Sequence, residues 1–213
     1  MKAMNKKEFF YFVEYCNMLS YIEGERGLLN CFKKSFHGTI DVYAYSILEN
    51  IDIKKGRYFT DFGQGFYVTS SYDQAKEWAM KKYRDHLNSI SEPKPAIVQL
   101  WLDVEALSRY VKSGLIFERP DDKWSEFIYN CRKYGRKNAM YHSHDFVCGP
   151  LADGKIVPLM NKVERNEISL LEFKRHILPR GNIVNQLSLH TEEALAYVLH
   201  KEVHIIETFK ISS

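Results

Sequence analysis

A histidine followed at once by a glycine, His37 and Gly38, stands ahead of the glycine-punctuated aromatic run Phe62, Gly63, Gln64, Gly65, Phe66, Tyr67. Trp78 follows Tyr67 by about three helical turns. Together these residue types could hold a flat ligand with polar groups at its edge. Two aromatic faces, Tyr67 and Trp78, hold a planar cation well. Gly38 has no side chain, so its backbone N–H and C=O can approach and pair with an amide, which offers a complementary acceptor and donor. His37 can hydrogen-bond a sugar hydroxyl with either ring nitrogen. Each piece alone is common, since a glycine turn feeding an aromatic strand occurs in many β-structures. The ordered set is what points to a site.

The elements that must position these residues can be read from periodicity and caps. Residues 5–34 read as helical, with Asn5 and Glu8 as a capping box, Phe9, Phe12, Val13 and Cys16 at helical spacing, a break at 24–27 and a second short helix at 28–33. His37 then falls on a strand, Asp41–Glu49 on a helix, 52–61 on a polar loop and Phe66–Thr69 on an aromatic, β-branched strand. Ser71 and Gln74 form another capping-box pattern, and the helix they start places Ala75, Trp78, Ala79 and Leu87 on one face, so Trp78 is expected to point inward. An apolar run at 96–102 predicts a central strand ending at a helix-capping Asp103. Trp124, Phe127, Ile128 and Cys131 predict a helix that begins after Pro120, with Asp121 and Asp122 at its positive end. A strand at 145–148 closed by Gly149 and Pro150, a helix at 167–177, strands at 184–190 and 203–209, and a helix at 191–199 between them complete the reading. There is no internal repeat, low-complexity tract or long linker. The expected fold class is α+β, with strands that meet from distant parts of the chain.

His37-Gly38, the Phe-Gly-x-Gly-x-Tyr turn and the following helix aromatic resemble the NAD-binding half of the ADP-ribosyltransferase superfamily, in its ADP-ribosyl polymerase-like branch. The resemblance implies a split two-sheet core with peripheral helices, in which NAD lies in the cleft as a substrate and no metal takes part. It further implies that Tyr67 and Trp78 clamp nicotinamide, that Gly38 fixes its amide, that His37 binds a ribose, and that Gly63 and Gly65 shape the turn presenting the tyrosine. Thr39, Gly65 and Phe66 would border the same cofactor site. The family's third signature is a glutamate near the start of a late strand. Here the matching place holds Gln186, within Val184, Asn185, Gln186, Leu187, Ser188, Leu189, His190. Strand alternation sets Leu187 and Leu189 toward the core and Gln186, Ser188 and His190 on the other face, which would line the cleft. Neutral Gln186 can hydrogen-bond the nicotinamide ribose but supplies neither full negative charge nor a base, which argues against polymer elongation. Three sources remain for that charge: a carboxylate of the target, a nearby acid such as Glu192 or Asp145, or none, in a site that binds NAD without turnover. Glu192 also fits the first turn of a helix begun by Thr191, and Asp145 a turn or strand cap.

The surrounding text also resembles a bacterial family of uncharacterised domains in the same superfamily. The shared motifs are Trp124, Phe127 and Arg132 on one helix, the strand and turn from Asp145 to Gly149, Pro150, Ala152 and Asp153, and Gln186, His190 and Thr191 on a late strand. On this basis the chain is expected to comprise an N-terminal helical extension, residues 1–34, and an ADP-ribosyltransferase-like domain, 35–213. The expected activity is mono-ADP-ribosyl transfer from NAD to a protein or nucleic-acid acceptor, as in a toxin or defence module with a neutralising antitoxin partner. The alternatives are an NAD glycohydrolase and a binding module or pseudoenzyme. The superfamily's RNA 2′-phosphotransferase branch is disfavoured because His37 and Gln186 stand where it needs arginines.

Composition sets the outer bounds. The chain has 213 residues, 45% of them hydrophobic, which suits one compact domain with a substantial core. A net charge of +3 is too small to argue for a nucleic-acid partner. Met1 to Glu8 lacks the apolar run of a signal peptide, and no window is apolar enough to cross a bilayer, so a cytoplasmic protein without a membrane partner is expected. Cys16, Cys31, Cys131 and Cys148 show no C-x-x-C pair and read as reduced, mostly buried thiols. His142 and His144 flank Ser143 without an evident third ligand, so no metal site is expected. Cys148 lies in an apolar strand without an orienting partner for nucleophilic chemistry, and Lys81, Lys82 and Arg84 read as a solvated helix face.

Overall fold

The computed structural model describes residues 27–135 and 141–208. Residues 1–26, and with them most of the expected helical extension and Cys16, lie outside the described residues. The chain is α+β, as expected. Its strands are β1 (Lys34–Ile40), β2 (Phe66–Thr69), β3 (Pro95–Leu102), β4 (Gly114–Ile116), β5 (Phe146–Pro150), β6 (Asn185–Leu189) and β7 (Val198–Ile205). They form a single seven-stranded sheet in the order β4-β5-β6-β2-β1-β3-β7, parallel between β4 and β5 and antiparallel elsewhere. The strands thus form one sheet and not the two expected, with its ladder interrupted between β1 and β2. β1 pairs with β3 along its whole length, from Lys34 opposite Trp101 to Ile40 opposite Pro95, but meets β2 only where Phe36 faces Thr69.

The helices are α1 (Asp41–Glu49), α2 (Tyr72–His86), α3 (Val104–Tyr110), α4 (Asp122–Tyr134), α5 (Ile156–Glu164), α6 (Leu170–Ile177) and the single turn α7 (Glu192–Leu195). Short polar side chains start several of them: Ser71 accepts from the Gln74 N–H, Asp103 from Ala106, Asp121 from Trp124 and Thr191 from Ala194. α6 begins three residues later than the periodicity predicts, because Ser169 and Glu172 close a reciprocal capping box there. α5 has no counterpart among the expected elements; its Pro158 sits in the first turn, where a missing N–H costs no helical bond. β7 begins at Val198, inside the expected 191–199 helix. It is an edge strand with much of its surface in solvent and so lacks the apolar alternation that marks a strand in sequence.

The sheet is covered on both faces. On one face Val98, Leu100, Phe66, Val68, Leu187, Leu189, Phe146 and Cys148 pack with Leu29, Phe32, Ala44, Leu107 and Ala194. The other face carries two separate clusters. Phe36 and Ile97 pack beneath Ala75 and Ala79 of α2, while Val147 lies beneath Trp124, Ile128, Met160, Phe173 and Ile177 of α4, α5 and α6. β2 runs between these two helical groups, so the opening in the sheet lies beneath the gap between them. Among the described residues no helix is long and apolar enough to cross a membrane.

Candidate functional site

Alternation along β1 decides which way Gly38 presents its backbone. The Lys33 carbonyl accepts from Leu102 and the Asp41 N–H donates to Lys94, both toward the β3 side. Even-numbered residues between them therefore turn their amides toward β2. If the β1–β2 ladder continued past Phe36 and Thr69, Gly38 would face Tyr67. It does not continue. The Tyr67 carbonyl, which such a ladder would offer to the Gly38 N–H, instead accepts from His37 Nδ1 at 2.7 Å. The absent Cβ at Gly38 has a second reason: a Cβ there would run into the Ala75 carbonyl and lie 2.8 Å from the Ala79 nitrogen. Gly38 thus seats α2 directly on β1 while its backbone polar groups face the opening.

His37 is held in one tautomer. A carbonyl can only accept, so Nδ1 carries the proton and Nε2 remains as an acceptor. The imidazole stacks on Phe66 with centroids 4.9 Å apart. Burial, then the charge of Lys82, pulls its pKa down to about 3, against the opposing effect of the Tyr67 carbonyl. Lys82 is therefore no member of the solvated helix face expected for it. Burial and the nearby Arg57 both lower its own pKa.

The Tyr67 hydroxyl is built into the turn that precedes it. It donates to the Gly63 carbonyl at 2.7 Å, accepts from the Phe62 N–H at 2.9 Å and pairs with Thr60 Oγ1 at 2.8 Å. Burial pushes this phenol well above its ordinary pKa. Gly63 holds the turn with φ of 80°, in the left-handed region. Gly65 is close to β6: a Cβ on it would come within 2.5 Å of both His190 Nδ1 and Ser188 Oγ.

Trp78 corrects the inward orientation expected from the helical face. Ala75 and Ala79 take the buried side of α2, and Trp78 is 43% exposed, with the Lys81 ammonium 4.6 Å from its ring centroid. The indole forms one wall of a cavity of about 420 Å³, whose other walls are Asp61, Arg132 and the segment from Leu151 to Pro158. Tyr67, Gly38, Trp78 and Gln186 thus share the sheet face that carries this cavity, and His37 bridges the opening beside them. Thr39 and Phe66 belong to the opposite face. Thr39 is fully enclosed, and its hydroxyl has no hydrogen-bond partner among the described residues; Phe66 is buried beneath His37. Of the expected site residues only Trp78 lines the cavity, and Thr39 and Phe66 are packed on the far face.

Asp61 is the residue that sequence reasoning missed. It is 4% exposed, and its Oδ1 accepts from Arg132 Nε at 2.9 Å and Nη2 at 2.6 Å. Its Oδ2 accepts from Gln186 Nε2 at 3.1 Å, with the Ala152 N–H at 3.4 Å. The signal was present but divided, since Asp61 directly precedes the Phe-Gly turn while Arg132, Ala152 and Gln186 belong to motifs far along the chain. The two acids considered in place of the expected glutamate are not among the partners of Asp61 and Gln186 described above. Asp145 accepts from Ser113 N–H and Thr191 Oγ1, and Glu192 lies in the first turn of α7.

A histidine cluster adjoins the network. His142 Nε2 donates to the Phe62 carbonyl, and its Nδ1 accepts from the His144 N–H. His190 Nδ1 donates to the Gln64 carbonyl, and the His142 and His190 rings meet edge to face at 4.8 Å. His190 Nε2 is buried without a partner among the described residues. Burial lowers all three pKa values, that of His190 to about 3. No group of three or more His, Cys, Asp or Glu among the described residues is arranged to hold a metal. Cys131 and Cys148 are buried and Cys31 is exposed. Burial raises the Cys131 thiol to about 12 and the Cys148 thiol further, the reverse of an activated nucleophile.

No curated protein and no solved structure matches the chain. A family model does match, over residues 35–200, and it takes in β1, the glycine turn, Arg132 and Gln186. By that match the chain belongs to the family described as Protein of unknown function (DUF3990).

Proposed function

We propose that this chain is an ADP-ribosyltransferase-superfamily enzyme that transfers a single ADP-ribose from NAD to a macromolecule and releases nicotinamide. The observation that carries this reading is the opening of the β1–β2 ladder at Gly38 and Tyr67, on the sheet face where Trp78 walls a cavity. A glycine whose backbone turns toward a gap in the ladder, on the face that carries Tyr67 and Trp78, suits an amide-bearing pyridinium ring. His37 Nε2 would accept from one ribose hydroxyl and Gln186 from the hydroxyl of the reacting ribose. In the reaction the bond between ribose C1′ and the nicotinamide nitrogen breaks, and its electron pair leaves with nicotinamide. A nucleophile of the acceptor bonds to C1′ and gives up its proton.

A second reading, NAD binding without turnover, is favoured by one observation: the carboxylate nearest Gln186, Asp61, is already neutralised by Arg132. Incubation with adenylate-labelled NAD and a cell lysate separates the possibilities. Nicotinamide release with label on protein or nucleic acid supports transfer, and label in free ADP-ribose supports hydrolysis. NAD binding without nicotinamide release supports the binding module. If the protein binds no NAD, or binds it equally well as Tyr67→Ala, the proposal fails. A neutralising antitoxin would be sought as a protein that suppresses the release.

A further inference from the structure

Gln186 stands where a carboxylate is expected, and its orientation is fixed by chemistry. A carboxylate has no proton to give, so the atom that Gln186 turns toward Asp61 Oδ2 is its amide nitrogen. The amide oxygen must then point away from Asp61. Both side chains are buried, at 8% and 4% exposure, and Asp61 is itself held by Arg132, so the amide has no low-cost way to rotate. Asp61 also borders the cavity that Trp78 walls.

We propose that Asp61 is a positioning residue that locks the Gln186 amide with Oε1 presented as a hydrogen-bond acceptor to a sugar hydroxyl of the bound ligand. The inference rests on the functional reading above and deepens it. Arg132 and Asp61 form the rigid base, Gln186 is the contact, and the ligand hydroxyl donates to an uncharged oxygen where a glutamate would have offered a charged one. Replacing Gln186 by Glu alone would therefore restore nothing, because two carboxylates would be set against each other. Asp61→Asn has a distinctive consequence. The asparagine side chain keeps an oxygen for Arg132 and turns its NH₂ group toward Gln186, which must rotate to accept and so presents a donor to the ligand in place of an acceptor. In Asp61→Asn with Gln186→Glu, the introduced carboxylate accepts from the introduced amide with one oxygen and offers the other to the ligand.

The test compares wild type, Asp61→Asn, Gln186→Glu and the double variant for NAD affinity by calorimetry and for nicotinamide release. Asp61→Asn is expected to lower release by on the order of tenfold or more with NAD affinity nearly unchanged. Gln186→Glu is expected to be comparably impaired, and the double variant to recover most of the loss. A purely structural Asp61 gives no such recovery, so a double variant no better than Asp61→Asn overturns the inference, as does an Asp61→Asn enzyme with wild-type release. Nuclear magnetic resonance of the Gln186 side-chain amide supplies a readout that needs no turnover. Its protons should exchange slowly in wild type and rapidly in Asp61→Asn, and equal exchange in both overturns the inference. Absence of NAD binding by the wild type together with slow amide exchange would overturn the NAD reading and leave the Asp61 lock standing.

Discussion

The two edges of β1 do opposite things. Toward β3 it pairs from Lys34 to Ile40, and Ile97 on that neighbour is buried beneath α2; toward β2 it pairs once, and the next β2 carbonyl, that of Tyr67, is taken by a histidine side chain. A continuous ladder satisfies backbone groups internally and leaves nothing for a ligand, whereas an interrupted one leaves donors and acceptors that something must complete. Under the proposed function, the same strand would supply stability along one edge and recognition along the other.

Substitutions can break this contrast. The largest effect is expected on the continuous edge: Ile97→Ala should cost about 3 kcal/mol of unfolding free energy, measured by urea denaturation, and leave NAD affinity per folded molecule unchanged. Gly38→Ala strikes both edges, because the new methyl meets α2 backbone. We expect a loss of about 2 kcal/mol together with lost NAD binding. Tyr67→Phe leaves the Phe62 N–H without its partner and removes one of two donors to the Gly63 carbonyl, Thr60 Oγ1 remaining, and should cost about 1–2 kcal/mol. Its NAD affinity should fall far less than that of Tyr67→Ala, since the ring remains. Trp78→Ala should leave the urea midpoint almost unmoved, given the exposure of the indole, yet weaken NAD binding on the order of tenfold. Equal stability losses in Ile97→Ala and Trp78→Ala would erase the distinction.

The last expectation concerns pH, and its effect is small only near neutrality. His37 and His190 titrate near 3 in the folded chain and near 6.5 when unfolded, so the unfolded state binds more protons between those values. Their contribution to stability is complete above about 6.5 and is lost as pH falls toward 3. His190→Gln should flatten the dependence of melting temperature on pH over that interval, read by scanning calorimetry.

Much of the frame was legible because local chemistry fixes it. α1 and β2 fall on their expected residues, and Ser71, Asp103, Asp121 and Thr191 announce helices through side chains that reach the first free N–H groups. What escaped depends on partners distant in sequence. Trp78 shares a helical stripe with Ala75 and Ala79, but those alanines sit so close to Gly38 that the larger ring is displaced to the rim. β7 is fixed by its pairing with β3 and not by its own pattern. Asp61 looked like one more polar residue in a loop, since its importance comes from residues 71, 91 and 125 positions away.

That last separation has a consequence for folding. A single carboxylate joins the glycine turn, α4, the segment after β5 and β6, so the pocket wall cannot close until the chain is made and folded through residue 186. Partly folded or truncated forms should therefore be inert toward any ligand of the cavity. A ligand that occupies it should in turn favour the completed molecule over every unfinished one, making occupancy a gauge of assembly.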